Sequence, residues 1–406
     1  INRPTLERPQ YFDHRVLEHA LRAELLDLEV LGGWQRDPVR YVDLVSRGTI
    51  GLLDPALGLD PEGAVQSLAA RWSDVPLVFR AARQNLDAQR VPALAVREAT
   101  ARANELGSWF GSAHADAWRA SISAEPGADR AMQLARASID SFTVWLADLA
   151  PRTTGGFRLG SEALRSLIEY RHHVDLPLAE IDALNRRALT DYREWLDRVA
   201  LDLDPLRPPE AIVDSMVAAR TEEWQLLPPV MSLGAATAAT RARRAAPPAG
   251  FGNAWAHYMD LAAVENESTP NADRLAALRR AIHAHALLHA TLQLHAGSAT
   301  LDEVALQLES QAFLPREAAR AEAERVARDP LYGMIAFDRM LIFALRDVLR
   351  AERAGEFDEQ RFAQELLDLR LPVPLAAEAL LGREPDGLLV PGRRTPGVPE
   401  PPSVLD

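Results

Sequence analysis

Apolar residues recur every three or four positions along most of the chain, which is the spacing of one face of an α-helix. Between residues 16 and 31 the leucines follow this spacing, and Gly32-Gly33 then supplies a helix stop. These leucines are Leu17, Leu21, Leu25 and Leu28. The alternation of β-branched and aromatic residues that marks strands is nearly absent. The pattern therefore predicts an all-α fold, a large multi-helical body with little or no sheet.

Pro, Gly and Asp residues separate the predicted helices. Before residue 226 the helices are predicted near 16–31, 38–53, 75–89, 93–122, 127–149, 160–174, 177–201 and 208–225. After residue 250 they are predicted near 251–264, 271–296, 299–312, 315–328, 331–353, 358–369 and 374–381. No fixed repeat period emerges, so we do not expect a solenoid.

Two stretches break the helical pattern and divide the chain. Residues 226–250 combine proline pairs with a run of small residues, and we predict a shortened connector there between helical halves at 1–225 and 251–382. Pro and Gly crowd together in 383–406, where no helix can continue. We expect this tail to lie against the helical body.

The charge of the chain argues against nucleic acid as a partner. The net charge is −13, opposite in sign to the basic surface that neutralises phosphates. Arg241, Arg243 and Arg244 form the densest basic run, and we interpret them as a solvated loop. The chain has no cysteine, and all 45 of its Lys+Arg residues are arginine. Cysteine and lysine nucleophiles and cysteine-ligated zinc are therefore excluded.

The sequence also predicts where the protein is located. No segment approaches the roughly 18–20 consecutive apolar residues of a membrane-spanning helix, and residues 1–11 lack the apolar core of a signal peptide. We expect a cytoplasmic protein without a membrane span. Secretion stays open as an alternative, because a chain that begins at Ile1 could have lost an upstream segment.

Histidines supply the best local candidates for chemistry. None of the ten histidines precedes a glutamate, which excludes the His-Glu-x-x-His zinc helix. His285 and His289 lie four residues apart on one helix face, a spacing that can hold a divalent metal. Asp260 or Glu265 would have to complete such a site. The structural alternative places both histidines in the core.

That structural alternative follows from the surrounding pattern. The two histidines continue a stripe of residues at spacings of three and four, and His283 faces elsewhere. The stripe comprises Leu275, Leu278, Ile282, His285, His289 and Leu292. Buried there, the imidazoles would be neutral and hydrogen-bonded.

A second feature is the aromatic segment from Phe251 to Asp260. Trp255 and Tyr258 lie three residues apart, as simple core aromatics do. The polar Asn253 beside them also allows a pocket.

Several segments together resemble the bacterial domain-of-unknown-function family 885, helical proteins related to gluzincin-type zinc peptidases. The resemblance covers most of the chain up to about residue 382, through individually loose motifs. Its matching segments are 11–43 with Trp34 to Tyr41, 151–162, Trp255 to Tyr258, Leu294 to Gly297, Asp329-Pro330, Leu345-Arg346 and 357–367. The resemblance implies a helical peptidase scaffold with a groove.

The departures from the family concern the residues that would perform hydrolysis. The resemblance implies a Glu-Gly-Trp-Ala element whose glutamate binds zinc, and this chain has Asn253-Ala254-Trp255-Ala256 instead. The segment that should carry the zinc histidines is compressed into residues 226–250, which contain none. In the family a tyrosine follows the Asp-Pro step, and this chain has Ala336 at that position. The family's Phe-His-Asp pattern is replaced by Phe362-Ala363-Gln364.

Zinc hydrolysis needs about three protein ligands, a general base and oxyanion donors. Because several of these are replaced together, we expect a pseudo-peptidase: a non-catalytic relative without cofactor that binds a peptide or protein or serves as a structural module. The remnant groove is predicted to involve Asn253, Trp255, Tyr258, His295 and Tyr332. The alternative is a divergent hydrolase with zinc at His285 and His289. A third hypothesis is a structural subunit that acts by oligomerising, as a homodimer for example.

Overall fold

The computed structural model of the chain describes residues 6–53, 61–113, 115–116, 127–219, 240–246, 248, 251–266, 268–384, 387–389 and 394–399. These ranges are predominantly helical and contain no sheet; an isolated bridge joins Pro92 to Gly155. The predicted all-α fold is confirmed. No helix of the described ranges is long and apolar enough to cross a membrane.

The chain forms two compact units. The larger contains the described residues within 1–26, 158–233 and 237–406, and the smaller contains those within 27–157. The predicted N-terminal half, 1–225, is therefore divided between both units. Most of the predicted connector, 226–250, lies outside the described residues.

The α-helices are numbered here in chain order. Within the larger unit are α1 (Arg8–Leu26), α7 (Ser161–His172), α8 (Leu178–Leu203), α9 (Pro209–Ala219), α10 (Arg241–Ala245), α11 (Phe251–Ala262), α12 (Asn271–His295), α13 (Leu301–Gln311), α14 (Arg316–Arg328), α15 (Met334–Arg353), α16 (Glu359–Leu369) and α17 (Val373–Leu381). Within the smaller unit are α2 (Gly33–Arg36), α3 (Val39–Thr49), α4 (Pro61–Asn85), α5 (Ala93–Phe110) and α6 (Ala128–Leu149). Each unit has its own apolar core.

The first predicted helix is present, and the face that carries its regularly spaced leucines is exposed. It starts at Arg8 and continues as a π-helix, Asp27–Leu31, before Gly32 ends it with a φ of 64°. Phe12, Val16 and Ala23 are buried in α1, whereas Leu17, Leu21, Leu25 and Leu28 are exposed. The spacing of apolar residues predicts the helix, and contacts with other helices determine which face of it is buried.

Helix α4 begins 14 residues before the predicted start at residue 75. Pro76 lies inside this helix, which runs to Asn85. Proline lacks the N–H group that would bond to the residue four positions earlier, so the helix continues with one backbone hydrogen bond fewer.

Helix α12 lies at the centre of the larger unit and packs against α8, α11, α13, α14 and α15. Nearly every residue from Leu275 to His295 is buried, so the predicted single stripe is too narrow. Alanines at many positions, such as Ala281 and Ala284, let neighbouring helices approach closely. Gly333, just before α15, is a contact point: a Cβ there would lie 2.6 Å from the Leu287 carbonyl oxygen.

The described part of the tail lies against the body, as expected. The backbone N–H and the hydroxyl of Thr395 donate to Asp191 Oδ2 of α8, at 2.9 and 2.6 Å. Gly397 has a φ of 78° and packs directly on the ring of Phe343 in α15. Asp191 and Thr395 are both buried, so these hydrogen bonds fix the tail firmly.

The interpretation of the basic run as a solvated loop is wrong for Arg243. This residue lies in the short helix α10, and its side chain is only 9% exposed. It donates to Asp13 of α1 at 2.8 Å and to the backbone carbonyl of Leu369 at 2.6 Å. The arginine therefore joins three elements of the larger unit.

Candidate functional site

The polar interior of the larger unit centres on His285 of α12. Its Nδ1 lies 2.7 Å from Asn185 Oδ1, and Asn185 Nδ2 donates to the His285 carbonyl at 3.0 Å. Since an amide oxygen only accepts, Nδ1 of His285 carries the proton and Nε2 is an acceptor. The ring also stacks on Tyr192 of α8, with centroids 5.3 Å apart.

Two more histidines, His257 of α11 and His283 of α12, are buried beside it. Burial lowers the pKa of both to about 3, and neighbouring arginines act in the same direction. Burial also lowers the pKa of His285 well below its ordinary value. All three imidazoles are therefore neutral at pH 7. The predicted structural role for His285 agrees with this geometry.

Two arginines in this interior have unusual surroundings. Nε, Nη1 and Nη2 of Arg279 are buried without a hydrogen-bond partner among the described residues. Arg339 likewise has unpartnered Nε and Nη2 atoms, although its Cζ lies 5.2 Å from the Tyr192 ring centroid. Burial lowers the pKa of Arg279 to about 10, and Arg280 adds to this. The cluster therefore contains two buried guanidinium groups with nitrogen atoms that have no hydrogen-bond acceptor among the described residues.

The carboxylates of the alternative zinc site are each held by an arginine. Asp260 accepts two hydrogen bonds from Arg280, at 2.6 and 2.8 Å. Glu265 accepts two from Arg346, at 2.7 and 2.8 Å. Bidentate pairs of this kind use both carboxylate oxygens. A metal could be bound there only if these pairs were broken.

His289 of α12 has a separate environment from His285. Its Nδ1 lies 3.3 Å from Asp182 Oδ1, at the partly exposed side of α12. The described ranges contain no group of three or more His, Asp or Glu side chains arranged to hold a metal ion. The structure thus does not bring His285, His289, Asp260 and Glu265 together as one ligand set.

Of the residues predicted to line a remnant groove, Trp255 and Tyr258 lie in an aromatic cluster. Their ring centroids are 5.0 Å apart, and Tyr258 also contacts Phe343 at 4.7 Å and Phe362 at 6.2 Å. Both side chains are buried, and burial raises the pKa of Tyr258 to about 12. Asn253 is half-buried, with an Oδ1 that has no partner within the described residues.

The other two predicted groove residues are bound to α14. His295 is buried, and its Nε2 lies 2.9 Å from the backbone carbonyl of Val326, to which it can donate. Tyr332 is half-buried and accepts a hydrogen bond from Arg325 at 2.9 Å. Burial raises the pKa of Tyr332 to about 12. The five residues therefore divide between an aromatic cluster and contacts with α14.

Sequence reasoning missed the buried polar residues of the other helices. The sequence does not predict that Asn185 and Tyr192 of α8 contact His285, because they lie about 100 residues away from it along the chain. His172 and Asp338 form a buried pair at 2.8 Å, again between distant parts of the chain. Arginine is a surface residue by default, so Arg279 and Arg339 carried no signal of burial.

A cavity of about 440 Å³ lies between α8, α15 and the described part of the tail. Its walls are mainly apolar, with a few charged side chains at defined positions. This volume is within the range of about 300–1,000 Å³ that small-molecule sites occupy.

Comparison with known proteins shows the fold alone. No family model matches the chain, and no curated protein matches it. A structure from Shewanella oneidensis, described as "a putative lipoprotein of unknown function", superposes with a TM-score of 0.67 at 12% identity, covering 93% of this chain and 88% of the other. A second, from Colwellia psychrerythraea and described as "the putative lipoprotein", gives a TM-score of 0.57 at 11% identity over 80% and 76%. The resemblance to family 885 stays a prediction.

Proposed function

We propose that this protein is a non-catalytic relative of helical zinc peptidases that acts as a binding module. The observation that supports this most is the pairing of Asp260 with Arg280 and of Glu265 with Arg346. A general base or metal ligand needs a carboxylate oxygen that is free to act. Here both carboxylates serve as structural partners of arginines instead.

The buried histidines support the same proposal. His285 Nδ1–H donates a hydrogen bond to Asn185 Oδ1 inside the core, and burial keeps His257 and His283 neutral. A catalytic histidine changes its protonation near the working pH, and these three are far from doing so. Their role in the proposal is to satisfy polar contacts between helices.

A hydrolysis assay tests the proposal. The purified protein is incubated with a mixture of short peptides, with and without added zinc, and cleavage is followed by mass spectrometry. We expect no cleavage above that of a His285→Gln/His289→Gln variant purified in the same way. Zinc-dependent cleavage that is lost in the double variant would overturn the proposal.

The alternative is a zinc hydrolase that uses His285 and His289. One contact favours it: His289 Nδ1 lies 3.3 Å from Asp182, so a carboxylate is adjacent to one of the two histidines. Binding of one zinc ion per chain in calorimetry, abolished by Asp182→Asn, would support this alternative.

The family resemblance predicts a peptide or protein as the partner. Light scattering tests the alternative, in which the chain forms a homodimer.

The sequence predicts a cytoplasmic protein. The two structural relatives described as lipoproteins support the other location, the cell envelope. Fractionation of the cells that produce the protein distinguishes the two.

A further inference from the structure

The cavity of the larger unit has a wall made by the described part of the tail. Met340, Ala344 and Val348 of α15 and Leu184 of α8 face it from the body, and Leu388 faces it from the tail. These side chains offer an apolar surface on opposite sides of the cavity. A ligand that fills the space therefore needs an apolar body.

The tail wall is held in place by specific hydrogen bonds. Thr395 binds Asp191 through both its backbone N–H and its hydroxyl, and Arg187 pairs with the other oxygen of Asp191 at 3.0 Å. Gly397 lies so close to Phe343 that a Cβ would be 2.6 Å from its ring. Buried polar contacts therefore hold in place the tail residues that form one wall of this half-open cavity.

Three charged side chains line the cavity, and two of them have partners. Arg187 is paired with Asp191, and Asp347 accepts from Arg346 at 3.2 Å. Arg394 differs, since its side chain makes no hydrogen bond or ion pair with the described residues and its Nε atom is inaccessible to solvent. Arg394 is therefore the charged lining residue that has no partner among the described residues, and it carries a positive charge.

We propose that this cavity binds a small apolar molecule that carries a carboxylate. The apolar body lies against α15 and Leu388, and the carboxylate accepts hydrogen bonds from Arg394. A guanidinium suits this role, because its planar donors match the two oxygens of a carboxylate. The inference goes beyond the proposed absence of catalysis and does not depend on it.

Calorimetric titration of the full chain with decanoic acid, 1-decanol and decylamine tests the inference. We expect decanoic acid to bind once per chain, and decanol to bind about 10- to 100-fold more weakly, as expected for the loss of a charge-assisted hydrogen bond. The amine should bind no better than the alcohol. Preference for the amine would assign the polar contact to Asp347 and overturn the inference.

Variants distinguish specific binding in the cavity from nonspecific adsorption of the ligand's apolar chain to the protein. Arg394→Met should reduce the preference for acid over alcohol to less than threefold. Arg383→Met is the matched control, since Arg383 pairs with Glu352 at 2.6 Å and is not among the lining residues, and it should leave the preference unchanged. Val348→Trp fills the cavity from α15 and should abolish binding of both ligands.

Two further results would contradict the inference. One is the absence of saturable binding of decanoic acid to the folded chain. The other is binding that remains unchanged in both Arg394→Met and Val348→Trp, which would indicate adsorption elsewhere. Either result would leave the proposal of a non-catalytic protein standing, because that proposal is tested by peptide cleavage.

Discussion

Replacing Arg279 by methionine removes a guanidinium that is buried in the core without a partner among the described residues. Its three side-chain nitrogen atoms are inaccessible to solvent, and the residue is 1% exposed. Methionine retains an unbranched chain of similar length that packs among apolar neighbours. We expect the Arg279→Met variant to be more stable than the parent chain.

The magnitude follows from the energy of burying the charge. Each pH unit by which a pKa moves corresponds to about 1.4 kcal/mol. The fall of the pKa of Arg279 to about 10 thus indicates that burial disfavours the charged form by about 3 kcal/mol. Apolar replacements of buried ionic groups are often neutral or stabilising by about 1–4 kcal/mol. The space left by the guanidinium reduces the gain, so we expect about 1–3 kcal/mol.

The neighbouring Arg280→Met substitution is the matched control. Arg280 lies on the same helix, but it forms the bidentate pair with Asp260. Removing it leaves a partly buried carboxylate unpaired, which should destabilise the protein by about 1–3 kcal/mol. The same substitution at two adjacent positions should therefore change the free energy of unfolding in opposite directions.

Urea denaturation followed by circular dichroism measures both variants. The midpoint for Arg279→Met should rise and that for Arg280→Met should fall, with equal slopes if the unfolded states are alike. A fall of more than about 1 kcal/mol in the stability of Arg279→Met, as the loss of a hydrogen-bonded group produces, would contradict the burial of an unpaired Arg279. Arg279 would then have a bound partner in solution.

Three other predictions follow from named contacts. Because burial holds the pKa of His257 and His283 at about 3, the unfolded chain binds more protons than the folded chain below about pH 6.5. The free energy of unfolding should therefore fall as the pH falls from 7 to 4. His283→Leu should reduce the slope of this pH dependence by the equivalent of about one proton. Failure of that variant to change the dependence would contradict the assignment. Thr395→Val removes the 2.6 Å hydrogen bond to Asp191 and should make the chain after residue 383 more sensitive to limited proteolysis. The control is Thr143→Val, because the Thr143 hydroxyl donates to the Ile139 carbonyl of its own helix; equal cleavage of both variants would argue against the anchor. Gly333→Ala places a Cβ 2.6 Å from the Leu287 carbonyl oxygen, and it should destabilise the larger unit by about 1–3 kcal/mol in urea denaturation. Gly355→Ala is the control, because a Cβ there meets no atom within 4 Å, and it should lower the free energy of unfolding by less.

The sequence predicted the secondary structure well because helical periodicity is a local signal. The bounds of α12, 271–295, differ by one residue from the prediction of 271–296. The leucine spacing did not mark the buried face of α1, since Leu21 and Leu25 are exposed while Val16 is buried. Two apolar faces were available on that helix, and only contacts with other helices decide between them.

The candidate site was harder to predict, because its contacts join distant residues. Asn185 and His285 are 100 positions apart, and Asp191 and Thr395 are 204 apart. The pairing of Asp260 and Glu265 with arginines depends on the packing of α11, α12 and α15, which no local pattern encodes. Composition indicated a tail rich in Pro and Gly, but it gave no indication that this segment forms one wall of a cavity.

The most direct test of the proposed function is cleavage of peptides by the purified chain in the presence of added zinc. We expect the parent chain and the His285→Gln/His289→Gln variant to give the same background cleavage, because Asp260 and Glu265 are bound to Arg280 and Arg346. Zinc-dependent cleavage by the parent chain that disappears in the double variant would contradict it.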